Sequence, residues 1–141
     1  MSLVFIISAP SGSGKTTLAK ALQESLPKLL FSVSYTTRQP RSSEQNGREY
    51  HFITEPQFMD MVKRQEFLEY ACVHDNYYGT AKRNLADAQK FEEDLLLDID
   101  VQGAAQIKAK IPEAVGIFIL PPSRKVLEYG ALGFSAKATR K

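Results

Sequence analysis

The spacing of apolar residues predicts an α/β protein built on a parallel sheet. Leu18, Leu22 and Leu26 follow a short apolar run at helical spacing, and Pro27 is expected to end that helix. A buried strand that leads directly into a helix predicts parallel strands with right-handed crossovers. The strands expected in this chain include the apolar runs at 4–7, 29–34, 95–100 and 114–120.

Hairpins with antiparallel strands are predicted in the middle of the chain. Asn46-Gly47 is a strong hairpin turn pair, expected to return a strand at Tyr50 beside the preceding loop. The segments 67–73 and 77–80 flank a turn at 74–76 and predict a second hairpin.

The rest of the sequence contains several helix start signals. Thr54 precedes Pro56 and Gln57, a pattern that predicts a capping box and a helix to about residue 64. Thr80 is a possible cap for a helix at 81–91. Further helices are expected at 101–111 and from Ser123 to about residue 128.

Composition narrows the class of protein. The chain has 141 residues, suited to one domain, and its net charge of +2 gives no argument for a nucleic-acid or membrane surface. The single cysteine, Cys72, excludes an internal disulfide and is expected to be buried. No signal peptide or membrane span is predicted, so the cytoplasm is the expected compartment. Neither His51 nor His74 has metal-like spacing, and both are interpreted as surface or structural.

The first strand runs into a glycine-rich segment that predicts a phosphate-binding loop. Gly12 and Gly14 allow backbone N–H groups to converge on an anion at the start of a helix. Lys15 is placed to reach the β- and γ-phosphates of a nucleotide, and the Thr16 hydroxyl to ligate Mg²⁺. Ala9 stands where the generic pattern has glycine. An ordinary strand–loop–helix connection is the alternative interpretation.

Two further segments carry candidate chemistry of their own. Arg38 and Arg41, flanked by hydroxyl side chains, are suited to clamp a phosphate or a carboxylate, although a solvated loop explains the pattern equally well. Glu69 lies in an apolar stretch, where alternation leaves a surface position and a site position equally open. Asp98 and Asp100 end an apolar strand and are expected to point to the same side, next to the phosphate loop.

The phosphate loop, the segment 34–41 and the run Gly47-Arg48-Glu49-Tyr50-His51-Phe52 together resemble the guanylate kinase family. The resemblance implies a P-loop kinase sheet flanked by helices. It assigns residues 1–128 to a guanylate kinase-like domain, with a core at 1–33 and 92–128. A small mixed or antiparallel GMP-binding subdomain is implied at 34–91.

The resemblance also implies a role for each matching residue. It assigns the GMP phosphate to Ser34, Arg38, Arg41, Tyr50 and Tyr78. Glu69 would accept hydrogen bonds from guanine N1–H and the exocyclic amine, Thr80 would contact the base, and Asp100 would approach GMP. The residues implied for ATP are Ala9, Pro10, Ser11, Gly12, Ser13, Gly14, Lys15, Thr16 and Thr17. Mg²⁺ would be held by Thr16 and indirectly by Asp98, and the catalytic residues would be Lys15, Arg38 and Arg41.

Residues 129–141 are expected to lie outside the family pattern, because they show neither helical nor strand periodicity. A guanylate kinase would continue with an arginine-bearing lid, a last strand and C-terminal helices. The segment is therefore interpreted as a truncation or a frame-shifted tail, with reduced turnover expected because lid arginines would stabilise the transferring phosphoryl group.

The function implied is ATP-dependent phosphorylation of GMP to GDP, with ATP and GMP as partners. Two alternatives remain at this stage: a non-catalytic guanylate-kinase-like binding module, and a P-loop kinase for another nucleoside monophosphate. The sequence does not indicate the oligomeric state.

Overall fold

The computed structural model describes residues 2–8 and 15–118. The strands are β1 (Val4–Ser8), β2 (Leu29–Phe31), β3 (Ser34–Thr36), β4 (Tyr50–Phe52), β5 (Phe67–Val73), β6 (Asn76–Ala81), β7 (Asp94–Asp98) and β8 (Val115–Phe118). The helices are α1 (Lys15–Ser25), α2 (Glu55–Lys63), α3 (Lys82–Lys90) and α4 (Val101–Lys110). The predicted loop at 9–14, the end of the predicted strand 114–120, the helix at Ser123 and the tail at 129–141 lie outside the described residues.

The first sheet is parallel, as predicted, with strand order β2-β7-β1-β8. Successive residues of β7 face opposite sides of it. Leu96 packs with Ile7 and helix α1, whereas Leu95 and Leu97 pack in a second cluster that includes Ala104 and Ile107 of α4. Because helices cover both faces of this sheet, the residues inside β7 are all apolar and do not alternate with polar ones.

The second sheet is mixed, with strand order β4-β3-β6-β5. Strands β5 and β6 form the predicted hairpin, and both turn residues, His74 and Asp75, adopt positive φ. Helix α2 covers this sheet through Phe58, which is fully buried and stacks on Phe67 and Tyr77. The fold class predicted from the sequence, a helix-flanked parallel sheet with a small mixed sheet, is therefore confirmed.

Some local predictions are wrong. The run at 29–34 is not one strand: β2 joins the parallel sheet, and β3 begins the mixed sheet. Strand β4 pairs with β3 in parallel, so Asn46-Gly47 is not a hairpin turn. Gly47 still makes a local turn at φ +87°, but residues 37–49 form the longer crossover that parallel neighbours require.

Two apolar residues are more exposed than their patterns predicted. Helix α1 ends at Ser25, so Leu26 lies beyond its buried stripe and is 41% exposed. Cys72, predicted to be buried, is exposed because it alternates with the inward-facing Ala71 along β5. None of the helices in the described part of the chain is long and apolar enough to cross a membrane.

Replacing Thr54 with alanine is expected to lower the free energy of unfolding by about 1 kcal/mol, because it removes the N-cap of α2. The capping box is formed: the Gln57 N–H donates to Thr54 Oγ1 at 3.3 Å, and the Thr54 N–H donates to Gln57 Oε1 at 2.8 Å. Urea unfolding measures the change. Thr54→Ser, which keeps the hydroxyl, is the control and should retain most of the stability. Equal stability of the alanine variant and the unaltered chain would contradict a stabilising cap.

Candidate active site

A buried carboxyl–hydroxyl pair lies between the two strands of the β5–β6 hairpin. Glu69 is 4% exposed and Thr80 is fully buried, and the two residues face each other across the strands, next to a register shift in β5. The Thr80 hydroxyl donates to Glu69 Oε2 at 2.7 Å. Alternation along β5 also buries Phe67 and Ala71, so Glu69 faces the interior and the surface alternative is wrong.

Burial has a large effect on the ionisation of Glu69. The pKa of its carboxyl rises from 4.5 to about 7, mainly because the group loses contact with water and in smaller part because of the nearby negative charge of Asp100. The hydrogen bond from Thr80 acts in the opposite direction because it stabilises the carboxylate. The group therefore changes charge close to neutral pH.

Helix α4 holds the strand that carries Glu69. The Gln106 side chain binds Tyr70 as a neighbouring strand would: Tyr70 N–H donates to Gln106 Oε1 at 3.2 Å, and Gln106 Nε2 donates to the Tyr70 carbonyl at 2.8 Å. Lys110 Nζ donates to the carbonyl of Leu68. Both residues that flank Glu69 are thus fixed to one helix, which restricts the position of the carboxyl between them.

The start of the same helix brings Asp100 close to the buried pair. Asp100 is the N-cap of α4, and its Oδ1 accepts from the Gly103 N–H at 3.1 Å. Strand β7 ends at Asp98, so the two acids are not neighbours on one strand as predicted. A capping role of Thr80 was also wrong, because Ala81 occupies the N-cap of α3 and makes no side-chain cap bond.

Arg38 forms the centre of a second cluster, in the loop after β3. Its Nη1 and Nη2 donate to Glu44 Oε1 and Oε2, both at 3.0 Å, and the two side chains are only 13% and 14% exposed. The hydrogen bond with Glu44 raises the pKa of the Arg38 guanidinium, with a further contribution from Tyr78. The same pairing lowers the pKa of Glu44, which also accepts the Arg41 N–H at 2.8 Å.

Aromatic rings line this arginine. The Arg38 guanidinium carbon lies 5.2 Å from the centre of the Tyr50 ring and 5.9 Å from that of Phe52. Tyr50 meets Tyr78 edge to face at 5.8 Å. Burial raises the pKa of the Tyr50 hydroxyl, and the charge of Asp98 raises it further. The charge of Asp98, at the end of β7 in the parallel sheet, therefore acts on this cluster.

The structure brings some predicted site residues together and leaves others apart. Arg38, Tyr50 and Tyr78 form one cluster, and Glu69, Thr80 and Asp100 form the other. Ser34 is buried in β3, whereas Arg41 is exposed and joins the first cluster through its backbone. Lys15, Thr16 and Thr17 begin α1, and Thr17 is exposed. Residues 9–14 lie outside the described part of the chain.

Sequence reasoning did not predict the contacts of two residues that belong to these clusters, Glu44 and Gly103. Glu44 follows Arg41 by three residues in a basic loop, and a lone acid between arginines was a usable signal. Gly103 ends the Asp-x-Asp-x-x-Gly run that belongs to the family resemblance, but that run does not indicate which side chain packs against the glycine.

The two clusters suit different parts of one ligand. A guanidinium fork with phenol hydroxyls beside it can bind a phosphate through charge-assisted hydrogen bonds. A buried carboxylate beside a hydroxyl can accept bonds from adjacent N–H donors. Among residues 2–8 and 15–118, no group of three or more His, Cys, Asp or Glu side chains is placed to hold a metal ion.

Comparison with known proteins assigns the chain to a family. The guanylate kinase family model matches residues 1–140. The chain belongs to the guanylate kinase family. Its guanylate kinase relative from Koribacter versatilis (strain Ellin345) is 62% identical over 125 residues, which are 89% of this chain and 54% of that protein. The guanylate kinase of Dechloromonas aromatica (strain RCB) is 55% identical over 124 residues, 88% of this chain and 61% of that protein.

The fold of this chain is also similar to that of a solved guanylate kinase structure. The crystal structure of guanylate kinase from Anaplasma phagocytophilum superposes with a TM-score of 0.79 at 28% sequence identity, covering 99% of this chain and 78% of that one. The chain spans about half to three fifths of the length of the two curated relatives and about four fifths of the solved structure.

Replacing Glu69 with glutamine is expected to stabilise the protein at pH 8 by up to about 3 kcal/mol and to have little effect at pH 4.5. The folded-state pKa of about 7 lies above the ordinary value of 4.5, so the folded state holds the extra proton between these values. The free energy of unfolding of the unaltered chain therefore falls as pH rises from 4.5 to 7. Above about pH 7, ionisation of Glu69 lowers it no further.

Urea unfolding of both proteins from pH 4.5 to 8 measures this difference. Glu113→Gln, at an exposed glutamate, is the matched control and should shift stability equally little at every pH. Curves for the Glu69 variant and the unaltered chain that run parallel across this range would contradict a raised pKa of Glu69.

Proposed function

We propose that this chain forms the nucleotide-binding part of a guanylate kinase, which transfers the γ-phosphoryl group of ATP to GMP and yields ADP and GDP. The observation that carries the proposal is the joint placement of two clusters on one mixed sheet. An arginine lined by tyrosines lies by β3 and β4, and a buried carboxyl–hydroxyl pair lies between β5 and β6.

Glu69 is proposed to recognise the guanine base. Its carboxylate would accept hydrogen bonds from guanine N1–H and the 2-amine, which point in the same direction, while Thr80 orients the carboxylate and contributes its hydroxyl. Adenine presents an acceptor at N1 and lacks the 2-amine, so it would leave the buried carboxylate unpaired. A site built on such bonds discriminates strongly against bases that lack the donors.

The GMP phosphate is proposed to bind at the arginine cluster, on Ser34, Arg38, Arg41, Tyr50 and Tyr78. The Arg38 fork is already held in a bidentate arrangement by Glu44, which is the geometry that two phosphate oxygens would require. Asp100, near Glu69, is proposed to face the nucleotide between base and phosphate.

The chain is proposed to promote phosphoryl transfer by alignment and charge neutralisation. Phosphoryl transfer needs little covalent chemistry from a protein, so placing the attacking GMP oxygen in line with the γ-phosphate is the main task. The loop residues 9–14 with Lys15, Thr16 and Thr17 would hold ATP, and Lys15, Arg38 and Arg41 would offset its developing charge. Mg²⁺, when bound with ATP, would neutralise charge on the phosphates. Thr16 and, indirectly, Asp98 would complete its ligands.

The family also suggests where this activity would act. We propose a cytoplasmic enzyme of purine nucleotide metabolism, with ATP and GMP as its partners and no nucleic-acid or membrane partner. The net charge of +2 is consistent with that proposal, because it provides no strong basic surface. The residues 34–91 are proposed to act as the GMP-binding subdomain.

GMP is expected to bind at least about tenfold more tightly than AMP, because adenine would leave the Glu69 carboxylate unpaired. Titration calorimetry with GMP, AMP, UMP and dTMP at pH 8, where Glu69 is mostly ionised, measures the order. Glu69→Gln should weaken GMP binding and leave AMP binding nearly unchanged, and Glu113→Gln should change neither. Tighter binding of AMP than of GMP would overturn the proposed base recognition.

Binding of ATP is expected to fall by at least about tenfold in Lys15→Ala, because the variant loses a charge-assisted bond to the phosphates. Lys20→Ala, an exposed position on the same helix, is the matched control and should bind ATP normally. Fluorescence titration with a labelled ATP analogue measures both variants. No ATP binding by the unaltered chain, with GMP binding retained, would favour a non-catalytic binding module.

A further inference from the structure

Gly103 lies against the proposed base-recognition carboxylate. It is a buried residue in the first turn of α4, and its backbone N–H is bonded to Asp100. A Cβ placed on Gly103 would stand well inside the contact distance of Glu69 Oε1 and 3.0 Å from Glu69 Cδ. The next nearest atom, Ile99 Cδ1 at 3.4 Å, is at an ordinary packing distance. A side chain on residue 103 would therefore occupy the same space as the Glu69 carboxylate.

The Glu69 carboxylate is held on two sides, so it could not keep its present position beside a side chain on residue 103. Thr80 Oγ1 binds Oε2 on one side, and the Gly103 backbone faces Oε1 on the other. Gln106 and Lys110, from the same helix as Gly103, hold the backbone of the residues on either side of Glu69. Helix α4 therefore fixes both the strand and the gap into which the side chain extends.

We propose that Gly103 is a specificity-positioning residue, whose missing side chain leaves the space in which the Glu69 carboxylate is held toward the base. The inference rests on the proposed function, because it concerns how Glu69 meets guanine. Gly103 itself needs no contact with the nucleotide. Its lack of a side chain determines which positions Glu69 Oε1 can occupy.

The geometry predicts displacement of Glu69 rather than loss of the fold when a methyl group is added. The atom that must move is the end of a flexible side chain, and the remaining neighbour is already at an ordinary distance. Alanine also suits a helix better than glycine does. Gly103→Ala is therefore expected to unfold at the same temperature as the unaltered chain or at a higher one, with its carboxylate moved from the base site.

The test compares GMP with inosine monophosphate, which lacks only the exocyclic 2-amine. Titration calorimetry on the full 141-residue chain at pH 8 is carried out for the unaltered protein, Gly103→Ala, Glu69→Ala and the double variant. Gln102→Ala, an exposed position next to Gly103 on the same helix, is the matched control and should bind both nucleotides normally. Circular dichroism melting of each variant reports the fold.

Gly103→Ala is expected to weaken GMP binding by about tenfold to a hundredfold, the range for loss of hydrogen bonds to a charged group. Inosine monophosphate should lose less, so the ratio of the two affinities falls toward one. The double variant should bind GMP no more weakly than Glu69→Ala alone, because the added methyl acts through the carboxylate. If Gly103→Ala is unstable, restored melting in the double variant, with binding equal to that of Glu69→Ala, supports the same contact.

Three results would overturn the proposal, and they are distinguishable. Unchanged GMP affinity in a folded Gly103→Ala, with Glu69→Ala weakened, rejects the positioning role alone. If Gly103→Ala weakens the binding of both nucleotides equally, and the double variant loses the sum of the two single losses, the effect of the methyl group is a general structural one. That result also rejects the positioning role. Unchanged GMP binding in Glu69→Ala rejects the proposed base recognition itself, and the role of Gly103 with it.

Discussion

The burial of one carboxyl group constrains the whole region between the two sheets. Glu69 is buried, and loss of contact with water disfavours its charged form so strongly that the pKa of its carboxyl rises to about 7. A buried charge is tolerable only with hydrogen-bond partners, and Thr80 is one. The protein therefore keeps a residue that opposes its own stability above neutral pH. That arrangement is expected at sites selected for recognition rather than for folding.

Helix α4 makes this arrangement possible because it belongs to both halves of the structure. Its Ala104 and Ile107 pack into the core of the parallel sheet, while Gln106 and Lys110 bind the backbone of β5 in the mixed sheet. Gln106 satisfies backbone groups of Tyr70 at the outer strand of the mixed sheet, groups that water would otherwise bind. The position of the buried carboxyl is thus tied to the core through one short helix.

The sequence indicated most of the fold, because its local signals are strong and independent. The capping box of α2, the β5–β6 hairpin and the apolar strand predicted at 4–7 all formed, and the strand predicted at 95–100 formed as Asp94–Asp98. Orientation of single side chains was harder to predict. Period-two alternation groups Glu69 with Phe67 but does not say which face is covered, and the same limit misplaced Cys72. The contact of Gly103 with Glu69 could not be predicted, because it forms between two elements that are far apart in the sequence.

The arginine cluster shows why a motif alone does not describe a phosphate site. Arg38 is already engaged by Glu44 through two hydrogen bonds, and Glu44 is also held by the backbone of Arg41. A phosphate that bound Arg38 in the proposed way would have to replace those bonds or share the guanidinium with them. The net free energy of binding would then be the difference between two charge-assisted pairs, not the full strength of one. In return, the guanidinium fork is held oriented before the ligand arrives, so less side-chain entropy is lost on binding.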